Sequence, residues 1–198
     1  MPLLDQLSDL VVSQMSQQAE QNTGISAGAA EKLLPMAMAT IMGGLKKNAS
    51  NAAGAEALSN ALDKHDGGLL DDLARLGDGD VQADGKKILA HILGAKQSQT
   101  EQALARTAGV NQDQIGQLLA MAAPMVLASL GKAKRDNGLD ASALSGLVTA
   151  ESARVQQAAP AEIGGLMSFL DQDGDGDFKD DVLEAAGKKL LGGLFGKR

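Results

Sequence analysis

Residues 171–182, DQDGDGDFKDDV, place six carboxylates within twelve residues. Acids at alternate positions suit a loop that wraps a hard cation, because the curled chain turns every second side chain inward. An EF-hand loop takes oxygen ligands from its first, third and fifth positions, turns on a glycine at the sixth, uses the carbonyl of the seventh and closes with a bidentate acid at the twelfth. Asp171, Asp173 and Asp175 fill the first three places, Gly176 is at the turn, and Asp177 offers its carbonyl. Phe178 follows as an apolar residue facing a core. The twelfth residue is Val182 and the ninth is Lys179, so Asp180 or Asp181 must close the shell from a shifted register. The candidate ligands are Asp171, Asp173, Asp175, Asp177 and Asp181, and the candidate ion is calcium. The competing reading is a solvated connector, with Asp180 and Asp181 at the N-terminus of the next helix, where the helix dipole favours acids.

Other chemistry is thinner. His65 and His91 are the only histidines, and a zinc site on His65 would need carboxylates such as Asp63 and Asp66. Residues 79–87, GDVQADGKK, miss a phosphate loop: the glycines are one residue too far apart and no Ser or Thr follows Lys86. Residues 104–119 have helix-turn-helix spacing through Ala105, Gly109, Val110, Ile115 and Leu118. The second helix offers Asn111, Gln112, Asp113, Gln114 and Gln117 but no base before Lys132, so little would hold phosphates. There is no cysteine and no nucleophile elbow, so no catalytic residue is assigned and an enzyme is not expected.

The elements that position these residues follow from composition. Leu, Ala and Met must fill the core, since Trp and Tyr are absent and Phe occurs three times. Those residues favour helices, and no segment alternates as a strand does. The predicted fold is all-α. A net charge of −7 and a pI near 4.8 disfavour a nucleic-acid coat. The start of the chain carries acids before its apolar residues and does not read as a signal peptide. No apolar run is expected to span a membrane, and the expected location is cytoplasmic.

Two halves answer each other at an offset of 85 residues. Gly24 pairs with Gly109, Ile25 with Val110, Leu33–Leu34 with Leu118–Leu119, Met36–Ala37 with Met121–Ala122, Ile41 with Val126 and Leu45 with Leu130. The match resumes between residues 57–62 and 143–148, and again between GDGD at 77–80 and at 174–177. The pattern predicts a tandem duplication of a short-helix bundle, 1–95 and 96–198, with the acidic loop and a C-terminal helix in the second copy. In the first copy Ala74 and Leu76 stand where the second has Asp171 and Asp173, so only Asp78 and Asp80 remain and that turn cannot hold the same ion.

Within each copy the apolar spacing is helical. Leu3, Leu7, Leu10, Val11 and Met15 share one face, as do Ala30, Leu33, Leu34, Ala37, Ile41 and Leu45. Ser26 and Asp140 are expected caps, Ser98 with Glu101 is a capping-box pattern, Pro160 opens a helix and Gly94 is a stop. Pro35 and Pro124 fall inside helical patterns and are expected to kink or split them. The last segment, 187–198, has four bases and an apolar set. It could touch an anionic membrane, but GKKILAHILG at 85–94 repeats its design inside the chain, so packing on its own domain is the favoured reading.

The pattern TGI…LLPMAMATIMGGL, its echo at 109–130 and the terminal FLDQDGDGDFKDD resemble the bacterial YidB-like family over most of the chain. The resemblance implies an all-helical fold and no established reaction. The resulting expectation is a non-enzymatic protein that acts by partner binding or self-association. Its alternatives are a calcium-binding regulatory module through 171–181 and a weak DNA-binding helix-turn-helix at 104–119.

Overall fold

Ala, Leu and Met do build helices. The computed structural model describes residues 9–65 and 67–158, and among them there are seven α-helices longer than one turn and no strand. They are α1 (Asp9–Thr23), α2 (Ala27–Asn48), α3 (Ala52–Leu62), α4 (Gly79–Leu93), α5 (Gln97–Ala108), α6 (Gln112–Asn137) and α7 (Ala141–Ala158). A single turn at Gly68–Asp71 and a 3-10 segment at Leu73–Gly77 link α3 to α4, and a 3-10 segment at Gly94–Lys96 leads into α5. The described residues belong to one compact unit, Met1–Ala159. The acidic stretch 171–182, Pro160, the three Phe residues and the tail 187–198 lie outside the described residues, as do Leu3 and Leu7.

The core is arranged around α6. Every residue from Leu118 to Gly131 is buried, with Ile115 before and Ala133 after. A helix that is apolar all round must be enclosed on all sides. Here α1, α2, α3, α4, α5 and the Gly68–Asp71 turn pack on it. Each fully buried Leu or Met contributes about 1.5–3 kcal/mol. Contrary to expectation, α6 is long and apolar enough to cross a membrane, but most of its apolar stretch is covered by the other helices. Helices from both halves share this core: α2 and α4 pack on α6, and α7 packs on α2 and α3.

The two proline-bearing helices leave the same kind of turn. α1 ends at Thr23 and α5 at Ala108; Gly24 (φ +70°) and Gly109 (φ +67°) follow, and Ser26 and Asn111 occupy the N-cap positions of α2 and α6. Glycine is needed at both turns because a Cβ strains a left-handed backbone. In the first turn Thr23 Oγ1 donates to the Ala19 carbonyl at 2.7 Å and accepts from the Ile25 N–H at 3.1 Å. That side chain fixes the Thr-Gly-Ile corner. Ser26 holds the N-cap position as expected, but its side chain makes no capping hydrogen bond; its carbonyl accepts from Ala29 and Ala30.

Three local expectations are corrected. Neither Pro35 nor Pro124 splits its helix; α2 and α6 run through them. Proline removes one i→i−4 bond and costs about 3 kcal/mol, and burial of the flanking Leu and Met residues outweighs that. Ser98 caps nothing, because the 3-10 turn runs straight into α5 and Gln97 is already helical. Asp140 does cap: its Oδ1 accepts from the Ala143 N–H at 2.8 Å. Gly94 ends α4 with φ +53°.

Candidate functional site

The aspartates Asp171, Asp173, Asp175, Asp177 and Asp181 are not among the described residues, but the aligned turn of the first half is. There Asp78 holds the N-cap position of α4 and Asp80 lies in its first turn, where the dipole favours acids. Arg75 reaches both: Nε is 3.5 Å from Asp78 Oδ2, and Nη2 is 3.6 Å from Asp80 Oδ2. All three side chains are at least half exposed, so these pairs contribute little to stability and offset only part of the charge of the turn.

The helix-turn-helix spacing describes a real corner. α5 and α6 meet through Gly109, Val110 and Asn111. The helix that would read a groove is the buried centre of the core. Its polar first turn is occupied within the chain: Gln112 Nε2 donates to Ser98 Oγ at 3.1 Å, and Gln114 Nε2 donates to the Thr23 carbonyl at 3.0 Å. Only its outermost residues, among them Asn111 and Asp113, are exposed.

The histidine constellation does not assemble among the described residues. His65 Nε2 faces Asp84 Oδ2 at 3.8 Å, whereas Asp63 turns away to Lys134. His91 is exposed on α4. No group of three or more His, Asp or Glu converges among the described residues. The GKKILAHILG segment packs as part of α4, burying Gly85, Ile88, Leu89 and Ile92.

Two features were not anticipated from the sequence. The first is an open groove of about 410 Å³. One wall is α1, which presents Gln14, Gln17, Gln18 and Gln21, and the other is Asp71, Asp72, Leu73 and Ala74. Spacing of i, i+3, i+4 and i+7 puts the four amides on one helical face. That spacing was readable in QMSQQAEQ; the opposing wall was not, since it comes from a segment fifty residues away in the chain. Amides donate and accept at once, and the carboxylates only accept, so the groove offers polar recognition with an excess of acceptors. The second feature is Glu151 on α7, which is 3% exposed.

Residues 5–133, more than half of the chain, match the family described as "Bacterial protein of unknown function (DUF937)". The chain belongs to the DUF937 family. The YidB-like resemblance and this match point to the same family. The DUF937 match runs without a break across residues 95–96, from α1 through most of α6, and leaves α7 beyond its end. No curated protein and no solved structure matches the chain.

Proposed function

We propose that this DUF937 protein is a non-enzymatic helical binding module of the bacterial cytoplasm, and that its partner surface is the groove between α1 and residues 71–74. The groove is the observation that carries the reading: four amides and two carboxylates line about 410 Å³ of open space on a tightly packed scaffold. Amides recognise the peptide backbone, and Asp71 with Asp72 favours a cationic side chain beside it. The partner is a polar segment carrying Lys or Arg. Backbone-amide NMR titration with short Lys/Arg-rich and Asp/Glu-rich peptides tests this. Shifts should cluster on Gln14, Gln17, Gln21, Asp71 and Asp72 for the basic peptides alone, and should vanish in Asp71→Asn/Asp72→Asn. Shifts elsewhere, or none, would sink the reading.

The tandem duplication belongs to the same proposal. It is supported by the matched turns at Gly24 and Gly109 and by the matched burial of Leu34 with Leu119, Ile41 with Val126 and Leu45 with Leu130.

A second reading has its own support. Aligned on GDGD, Gln172 stands where Arg75 pairs with Asp78 and Asp80, and the second copy adds Asp171 and Asp173. The second copy lacks the counterpart of Arg75, and Lys179 is its one base against six acids in residues 171–182. A calcium ion bound by Asp171, Asp173, Asp175, Asp177 and Asp181 would offset part of that excess. Calorimetric titration of chelator-treated protein with calcium, and with magnesium as the control, should give one saturable calcium site that Asp171→Asn/Asp175→Asn abolishes without loss of helicity. Absence of heat leaves these residues as a connector.

A further inference from the structure

α7 differs from the other long helices in what it buries. Its inward stripe is Leu144, Val148, Glu151, Ser152 and Val155, each at most 3% exposed. Three aliphatic residues thus share the face with a carboxylate and a hydroxyl. Glu151 Oε1 lies 3.4 Å from Arg154 Nη1, while Oε2 is buried with no hydrogen-bond partner among the described residues. Arg154 is itself 45% exposed, so its charge is largely spent on water. A buried carboxylate oxygen without a donor is among the most costly groups a helix can dock. α6, in contrast, buries every residue from Leu118 to Gly131 and no charged group among them.

The connections of α7 fit an element that moves as a piece. It joins α6 through Gly138 (φ +61°), Leu139 and Asp140, and Asp140 caps it, so the helix has its own start signal. It lies on α2 and α3, where Ser145 Oγ donates to the Ala49 carbonyl at 2.9 Å. It also lies outside the family match, which ends at residue 133.

We infer that α7 is a strap that lifts from α2 and α3 by itself, while α6 and its neighbours stay folded, and that Glu151 sets how often it does so. Each opening uncovers the apolar faces of α2 and α3 that Leu144, Val148 and Val155 otherwise cover. Elements of low local stability are the ones that open below the global unfolding transition.

Hydrogen exchange followed by mass spectrometry on the full chain, together with trypsin cleavage after Arg154, tests this. In the wild type, peptides spanning 141–158 should exchange at least tenfold faster than those spanning 118–131. Glu151→Met keeps the side-chain length and removes the charge. It should slow exchange in α7 roughly tenfold, slow nicking at Arg154 alike, and leave α6 unchanged. Val148→Ala should do the opposite to α7, again without moving α6. Equal protection of α6 and α7 in the wild type overturns the proposal, as does any variant that shifts both helices together. Faster exchange of α7 in Glu151→Met overturns the role given to Glu151.

Discussion

Gly85 on α4 lies against the carbonyl oxygen of Ala120 on α6: a Cβ at Gly85 would fall on that oxygen. The same carbonyl is the one Pro124 leaves without an i+4 donor, since proline has no N–H. The proline and the glycine therefore act at one spot. α4 approaches α6 closely where the helix has a carbonyl to spare, and the contact allows a Cα–H···O interaction of the kind found between close helices.

Gly85→Ala should destabilise the protein by about 2 kcal/mol or more, although alanine is the better helix former. The clash is with backbone, which cannot rotate aside. Gly146→Ala on α7 is the control, because nothing lies within 4 Å of a Cβ there. It should stabilise by roughly 0.5–1 kcal/mol. Urea unfolding followed by far-ultraviolet circular dichroism checks both, the chain having no Trp or Tyr to report by fluorescence. Equal effects from the two substitutions would mean the close approach is absent.

Leu34 and Leu119 stand 85 residues apart in the sequence and are 2% and 1% exposed. If the halves use their equivalent helices alike, Leu34→Ala and Leu119→Ala should each cost about 2–5 kcal/mol. The same urea measurement decides. A cost under about 1 kcal/mol at either position would show that only one of the two helices carries the core.

The helices were legible because Ala, Leu and Met spacing is a local signal, and so were the turns at Gly24 and Gly109. The prolines do not split their helices, because the cost of one missing hydrogen bond is local and readable, whereas the burial that outweighs it is tertiary. Ser98 misled for the same reason: its pattern is that of a cap, but the preceding 3-10 turn had already started the helix. The glutamine row of α1 was visible as spacing, yet only the fold brings Asp71 and Asp72 opposite. Glu151 could not be found from sequence, where it follows Leu147, Val148 and Ala150 as any amphipathic helix allows.

Asp136 and Lys132 are an i,i+4 pair at 2.9 Å on the last turns of α6. The Lys132 hydrogen bond, aided by its charge and that of Arg135, holds the Asp136 carboxyl below the ordinary carboxylate range. A lowered folded-state value stabilises the protein above the unfolded-state value, and that increment is lost as pH falls through the folded one. Asp136→Asn should therefore lower the melting temperature slightly at neutral pH. Both groups are exposed, so the effect is small. Thermal unfolding of wild type and variant should converge in strong acid. A difference that persists there would assign the effect to something other than the charge.

Lys134 ties α6 to the end of α3. Its ammonium donates to the Ser59 carbonyl at 2.7 Å and also binds Asp63. The Ser59 carbonyl lies in the last turn of α3, where helical acceptors lack partners and a cation is favoured. Lys134 is 17% exposed and Asp63 is 65% exposed, so the two contacts differ in weight. Lys134→Ala should cost about 1–2 kcal/mol, because it leaves a partly buried carbonyl unpaired. Asp63→Ala should cost about 0.5 kcal/mol or less, as an exposed ion pair does. Urea unfolding of the two variants separates the contributions. Equal costs would place the weight on the ion pair and remove the capping role of Lys134.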